Sequence, residues 1–122
     1  MKSNSFSLKA RSKSFRYAFN GIYKFLVQEP NALIHLSATI IVFLAALYFD
    51  ISKTEAMALV IVTGLVWAAE IFNTAIERIM DFISPDYHPA VEVIKDMAAG
   101  AVLITAITAI VTGAIIFIPK MF

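Results

Sequence analysis

Residues 97–118 run for 22 positions without a charged side chain. At about 1.5 Å per residue, a helix of that length covers roughly 33 Å, enough to cross a hydrocarbon core of about 30 Å. Inside a bilayer the backbone must satisfy its own N–H and C=O groups, so the run predicts a membrane-spanning helix. Two further runs read the same way: residues 32–49, with His35 near the start, and residues 56–76, interrupted among strongly polar types by Glu70 and Asn73. A hydrophobic content of 60% and a mean hydropathy of +0.79 in 122 residues agree with one membrane-embedded domain over residues 1–122, an all-α membrane protein with three transmembrane helices. The absence of cysteine excludes disulfides and thiolate metal sites.

Ahead of the spans, residues 5–28 carry Phe15, Phe19, Ile22, Tyr23 and Leu26 at helical spacing, with Lys13, Arg16, Asn20 and Lys24 opposite. The pattern predicts an N-terminal amphipathic surface helix, either on the membrane face or packed on the rest of the protein. Pro30 is expected to break the line and Asn31 to cap the first span. In the turn at residues 50–54, Ser52 and Glu55 have the spacing of a capping box. The second helix should run on to Ile83 and stop at Ser84, Pro85 and Asp86; Pro89 should open the third, and Pro119 and Lys120 should end it.

Basic residues set the expected orientation. Lys2, Lys9, Arg11, Lys13, Arg16 and Lys24 precede the first span, and with three spans Arg78 and Lys95 share their side, against Lys53 and Lys120 opposite. The N-terminus is therefore expected in the cytoplasm and the C-terminus outside. No small-residue cleavage site follows an early apolar run, so the basic start reads as retained rather than as a signal peptide. The basic excess fits an anionic membrane face, and no nucleic-acid partner is expected.

The second span does not stay apolar. At about 100° per residue Glu70, Asn73, Glu77 and Asp81 lie within a sector of roughly 80°, while Ile71, Phe72, Ala75, Ile76 and Ile79 cover the other faces. A charge at mid-membrane costs about 2.5–3.5 kcal/mol on insertion scales, so a polar stripe entering a span marks a functional site. Glu70 and Glu77 stand roughly 10 Å apart along the axis, too far to hold one ion together. Glu77 and Asp81, near the water boundary, suit a hard cation such as Mg²⁺ with bound phosphates, and Glu29 is the natural second carboxylate. Glu70 lies deeper and suits a general base, with Asn73 orienting its neighbour or a ligand. Lys95 and Asp96 enter at the outer level from the third helix, where a lysine beside acidic groups suits a polyphosphate such as ATP. No Walker A sequence is present.

Glu70-Ile-Phe-Asn73-Thr-Ala-Ile-Glu77-Arg-Ile-Met-Asp81, followed by Tyr87-His88 and by Lys95-Asp96-Met97-Ala98-Ala99, closely resembles the bacterial integral-membrane diacylglycerol kinase family, which includes the undecaprenol kinases. The similarity covers nearly the whole chain. It implies a homotrimer of three-span subunits with sites between neighbours, ATP and Mg²⁺ as cosubstrate and cofactor, and a membrane lipid alcohol as acceptor. By matching position, Glu70 resembles the catalytic base and Glu29 and Glu77 the metal ligands. Tyr17, Asp86, Tyr87, His88, Lys95 and Asp96 fall where the family binds ATP, and Ala99 and Glu70 where it meets the lipid. The family's basic residue in the surface helix has no exact counterpart, Ala10 standing there beside Arg11. Asn31-Ala-Leu-Ile-His35 looks more like the undecaprenol kinase branch.

Spacing alone leaves two other readings of the stripe: a small proton- or ion-coupled transporter, and a purely structural polar seam. The resemblance favours the kinase. His35, alone near a helix start, reads as an interfacial or packing residue, and Trp67 as a packing residue. In the third span Ala101, Thr105, Ala109 and Gly113 make a small-residue ridge suited to close helix contact.

Overall fold

The computed structural model describes residues 6–122, which form four helices: α1 (Leu8–Gln28), α2 (Pro30–Tyr48), α3 (Lys53–Ile83) and α4 (Pro89–Met121). Lys2 and the Ser5 start of the expected surface helix lie outside the described residues. The last three helices are long and apolar enough to cross a membrane. The chain divides into two compact units, Met1–Ile34 and His35–Phe122.

In the first unit Ser7 caps α1, its hydroxyl accepting from the Ala10 N–H at 3.3 Å. Both stripes of α1 are exposed, Phe15, Phe19 and Tyr23 as much as Lys13, Arg16 and Lys24. Phe25 and Ala32 are the buried positions. α1 ends at Glu29, whose N–H still reaches the Phe25 carbonyl at 3.1 Å while its backbone turns extended, at φ −104° and ψ 120°. The following proline disfavours helical geometry at that residue.

The structure corrects the expected start of the first span. Pro30 opens α2 instead of only breaking the line, and Asn31 lies inside the helix. Proline suits the first helical position because its fixed φ is already helical and its missing N–H would have no partner there. α2 ends in a Schellman turn: the Asp50 N–H reaches Leu47 O at 3.4 Å, the Ile51 N–H reaches Ala46 O at 3.3 Å, and Asp50 takes the left-handed φ of 48°. The capping box forms as its spacing predicts, with Ser52 Oγ accepting from the Glu55 N–H at 3.1 Å and Glu55 Oε1 accepting from the Ser52 N–H at 2.9 Å.

α3 runs on to Ile83 and stops before Ser84, and α4 opens on Pro89, both as expected. The expected stop at Pro119 is overturned, since α4 continues through it to Met121. Pro119 has no N–H for the Ile115 carbonyl, so the helix runs on at the loss of that one bond.

α3 and α4 form an antiparallel hairpin whose backbones run within 8 Å of each other. An ion pair closes each end: Asp81 with Lys95 at 2.5 Å beside the connecting loop, and Glu55 with Lys120 at 3.1 Å at the far end. Glu55 and Asp81 are separated by 26 residues. At about 1.5 Å per residue that is roughly 39 Å, close to the full thickness of a bilayer with its headgroups, so both pairs can sit in the interfaces. α2 stands off from α3 around a hollow of about 500 Å³, lined mostly by apolar side chains such as Val42, Phe43, Leu59 and Val60. Most other apolar side chains on the three spans are exposed, as lipid-facing surfaces are.

Candidate functional site

The stripe on α3 is graded by burial. Glu70 is 7% exposed and is the buried charged residue among those described; Asn73 and Glu77 are half-buried, and Asp81 is exposed. The helix thus carries acidic side chains from its buried middle to its exposed end.

At the inner end Glu70 Oε1 lies 2.8 Å from His35 Nε2 on α2. One turn earlier on α3, Trp67 donates its indole N–H to Thr39 Oγ1 at 2.9 Å, and Thr39 in turn donates to the His35 carbonyl at 2.7 Å. The indole and imidazole rings meet edge to face with centroids 6.3 Å apart. His35 and Trp67 therefore do more than the packing roles that the sequence suggests for them. A signal for this was available: His35 stands 17 residues before Ser52 and Glu70 stands 18 after it, so a hairpin folded at Ser52 sets the two level. A carboxylate buried at that level requires a polar partner.

In the middle, Asn73 donates its side-chain amide to Glu77 Oε1 at 3.1 Å, and its own Oδ1 is buried without a hydrogen-bond partner. An orphaned amide oxygen beside a carboxylate offers two hard oxygen donors, a set that fits Mg²⁺, which takes one or two protein carboxylates and completes its shell from water and phosphate. Among the described residues no three His, Asp or Glu side chains gather into a metal-binding group, so a cation here would depend on such outside ligands.

At the outer end, Asp81, Asp86, Tyr87, His88, Lys95 and Asp96 line one cavity of about 360 Å³, together with Ser84, Pro85, Val91 and Glu92. The loop after α3 and the first turns of α4 build it. His88 is the N-cap of α4, its Nδ1 accepting from the Ala90 N–H at 3.0 Å. The Tyr87 hydroxyl donates to Glu92 Oε2 at 2.6 Å, and that bond to a carboxylate raises the phenol's pKa above its ordinary value. Lys95, paired with Asp81, is the cation lining the cavity. Glu92, which the sequence does not mark as a site residue, lines the same cavity. Ala99, one turn beyond Lys95 on α4, is exposed. Tyr17 and Glu29 belong to the first unit, Tyr17 exposed on α1 and Glu29 half-buried at its end.

Three apolar spans around a graded acidic stripe define a multi-pass membrane protein with a polar, lysine-bearing rim. Residues 16–117 match the family described as prokaryotic diacylglycerol kinase. The chain is 35% identical over 109 residues to the undecaprenol kinase of Bacillus subtilis (strain 168), covering 89% of each protein. It is 33% identical over 109 residues to the diacylglycerol kinase of Synechocystis sp., covering 88% of this chain and 62% of that one, and 28% identical over 116 residues to the diacylglycerol kinase of Escherichia coli (strain K12), covering 95% of each. The chain belongs to the prokaryotic diacylglycerol kinase family, and is a lipid kinase of the membrane. The transport reading receives no support from these matches.

Proposed function

We propose that the chain transfers the γ-phosphate of ATP to the hydroxyl of a membrane lipid alcohol, undecaprenol or diacylglycerol, at the cytoplasmic face. The observation that carries this reading is the graded stripe: a buried carboxylate in the middle of α3, joined along one helix face to a rim cavity that holds a lysine.

In this reading Glu70 is the general base. The lipid oxygen bonds to the γ-phosphorus, the bond from that phosphorus to the bridging oxygen breaks, and its electron pair leaves on ADP, while the hydroxyl proton passes to Glu70. Lys95 releases Asp81 and turns to the phosphates, with Asp86, Tyr87, His88 and Asp96 around the nucleotide; Tyr17 is assigned to ATP by the family resemblance. Ala99 lies on the lipid side, small enough to leave room beside the hydroxyl. Glu77 and Glu29 are the carboxylates assigned to Mg²⁺, which when bound neutralises charge on the transferred phosphate. Asn73 holds Glu77 in place.

The same reading makes residues 1–122 one kinase domain, α1 an amphipathic helix on the cytoplasmic surface, the N-terminus inside and the C-terminus outside. It takes the working form as a homotrimer, with sites completed by neighbouring subunits. The extensive exposed apolar surface of the spans and the unpartnered Asn73 oxygen support it.

The test is phosphorylation by purified protein in lipid, with undecaprenol and diacylglycerol supplied side by side and ATP labelled at the γ-phosphate. Label is expected in at least one lipid with the intact chain and to fall by at least about 100-fold with Glu70→Gln. No transfer to either lipid, or full transfer by Glu70→Gln, refutes the reading.

A further inference from the structure

The 2.8 Å bond between His35 and Glu70 joins the reading of Glu70 as the base to a residue on another helix. A carboxylate ready to take a proton is an acceptor only, so the hydrogen in this bond belongs to Nε2 of the imidazole. We propose that His35 is a positioning residue of the transfer: its Nε2–H holds Oε1 of Glu70 and leaves Oε2 to receive the proton of the lipid hydroxyl. The proposal rests on the assignment of Glu70 as the base.

Three observations carry it. Glu70 is 7% exposed, and a carboxylate so buried needs a hydrogen-bond donor to stay charged and aimed. The donor is itself held: Thr39 fixes the His35 backbone carbonyl, Trp67 fixes Thr39, and the indole edge packs on the imidazole. Trp67 and Glu70 lie three residues apart on α3, so one turn of that helix both receives the imidazole and braces its support. Finally, no Cα of α2 comes within 8 Å of α3, so at this level the two helices are joined through side chains, the His35–Glu70 bond among them. Holding one oxygen of a base leaves a single productive direction for the other, and misplacement of a reacting group by about 1 Å can cost about 100-fold in rate.

The experiment compares the full chain in lipid with His35→Ala, His35→Gln and Glu70→Gln, measuring kcat and the KM for ATP. His35→Ala is expected to lower kcat by about 100-fold while the KM for ATP stays within about threefold, because the rim cavity is untouched. His35→Gln, whose amide can place a donor near the same point, is expected to recover most of kcat. A His35→Ala enzyme at full kcat beside an inactive Glu70→Gln overturns the proposal and leaves the base assignment standing. Full rate in Glu70→Gln overturns both. If His35→Ala does not fold, the decision passes to His35→Gln and to ¹⁵N-histidine spectra of the unaltered chain, in which the signals of His35 and His88 are assigned by substituting His88. A hydrogen on Nε2 of His35, with a signal that moves in Glu70→Ala, supports the proposal; a bare Nε2 overturns it.

Discussion

Asn73 donates to Glu77 across one turn of α3 and keeps its own carbonyl oxygen buried and unpartnered. An unsatisfied buried acceptor costs about 1–3 kcal/mol, so a protein selected for stability alone would not keep it. Asn73→Leu is expected to raise the unfolding free energy in lipid micelles by about 1 kcal/mol and to lower kinase activity by at least about tenfold. Activity equal to the parent would remove Asn73 from the site.

The Lys95–Asp81 pair is exposed on its acidic side, where such a pair is worth less than about 1 kcal/mol. Its value lies in keeping an ammonium group at the cavity. Lys95→Ala is expected to raise the KM for ATP by about tenfold, the loss of one charge-assisted contact of roughly 1.4 kcal/mol. Asp81→Asn, which frees the lysine, should change it by less than about threefold. Steady-state kinetics with ATP varied at saturating lipid would show the contrast.

Tyr87 titrates above its ordinary value because its hydroxyl donates to Glu92. A proton held more tightly in the folded protein stabilises it below the unfolded-state pKa, and the benefit is lost as pH rises through the folded value. The contribution is therefore complete at neutral pH and disappears only in alkali. Ultraviolet titration, with Tyr87→Phe subtracted to isolate this phenol, should show the midpoint falling toward 10 in Glu92→Gln. An unchanged midpoint would mean that the bond does not form in solution.

His88 caps α4 through Nδ1 while lining the cavity. His88→Asn, which keeps a capping oxygen, should retain stability, and His88→Ala should lose about 1 kcal/mol. Both should weaken ATP binding, so thermal unfolding and nucleotide titration on the same two variants separate the structural role from the binding one.

At the other end of α3 the capping box offers a variant remote from the site. Ser52 lies 18 residues before Glu70, roughly 27 Å along the helix. Ser52→Ala is expected to cost about 1 kcal/mol of stability and to leave kcat within about twofold. A large loss of kcat would couple the turn to the site.

The features legible in the sequence are those that local rules determine. Long apolar runs give the three spans, the 3.6-residue period gathers Glu70, Asn73, Glu77 and Asp81, and the Ser52–Glu55 spacing gives the capping box. Lys95 and Asp81 could be placed at one level because a short loop after Ile83 forces an antiparallel return. Helix ends were less legible, since proline both breaks and starts helices: Pro30 opens α2 where Asn31 was expected to cap it, and Pro119 sits within the last turn of α4. The bond from His35 to Glu70 was hidden for a different reason. A histidine read alone offers no hint of its partner; only counting outward from the turn at Ser52, 17 residues back and 18 on, gives the register of the two helices. Gly113 on the small-residue ridge has open space where a side chain would stand, so the ridge makes no close contact at that position within one chain.

The pairing of His35 with Glu70 also bears on how the protein is made. Synthesis proceeds from the N-terminus, so α2 leaves the ribosome ahead of α3. When the carboxyl group reaches the insertion machinery, the imidazole that will hold it is already available in the preceding segment. A chain with His35 replaced by an apolar residue would present α3 with its acid unaccompanied, and its biogenesis, as well as its chemistry, would suffer.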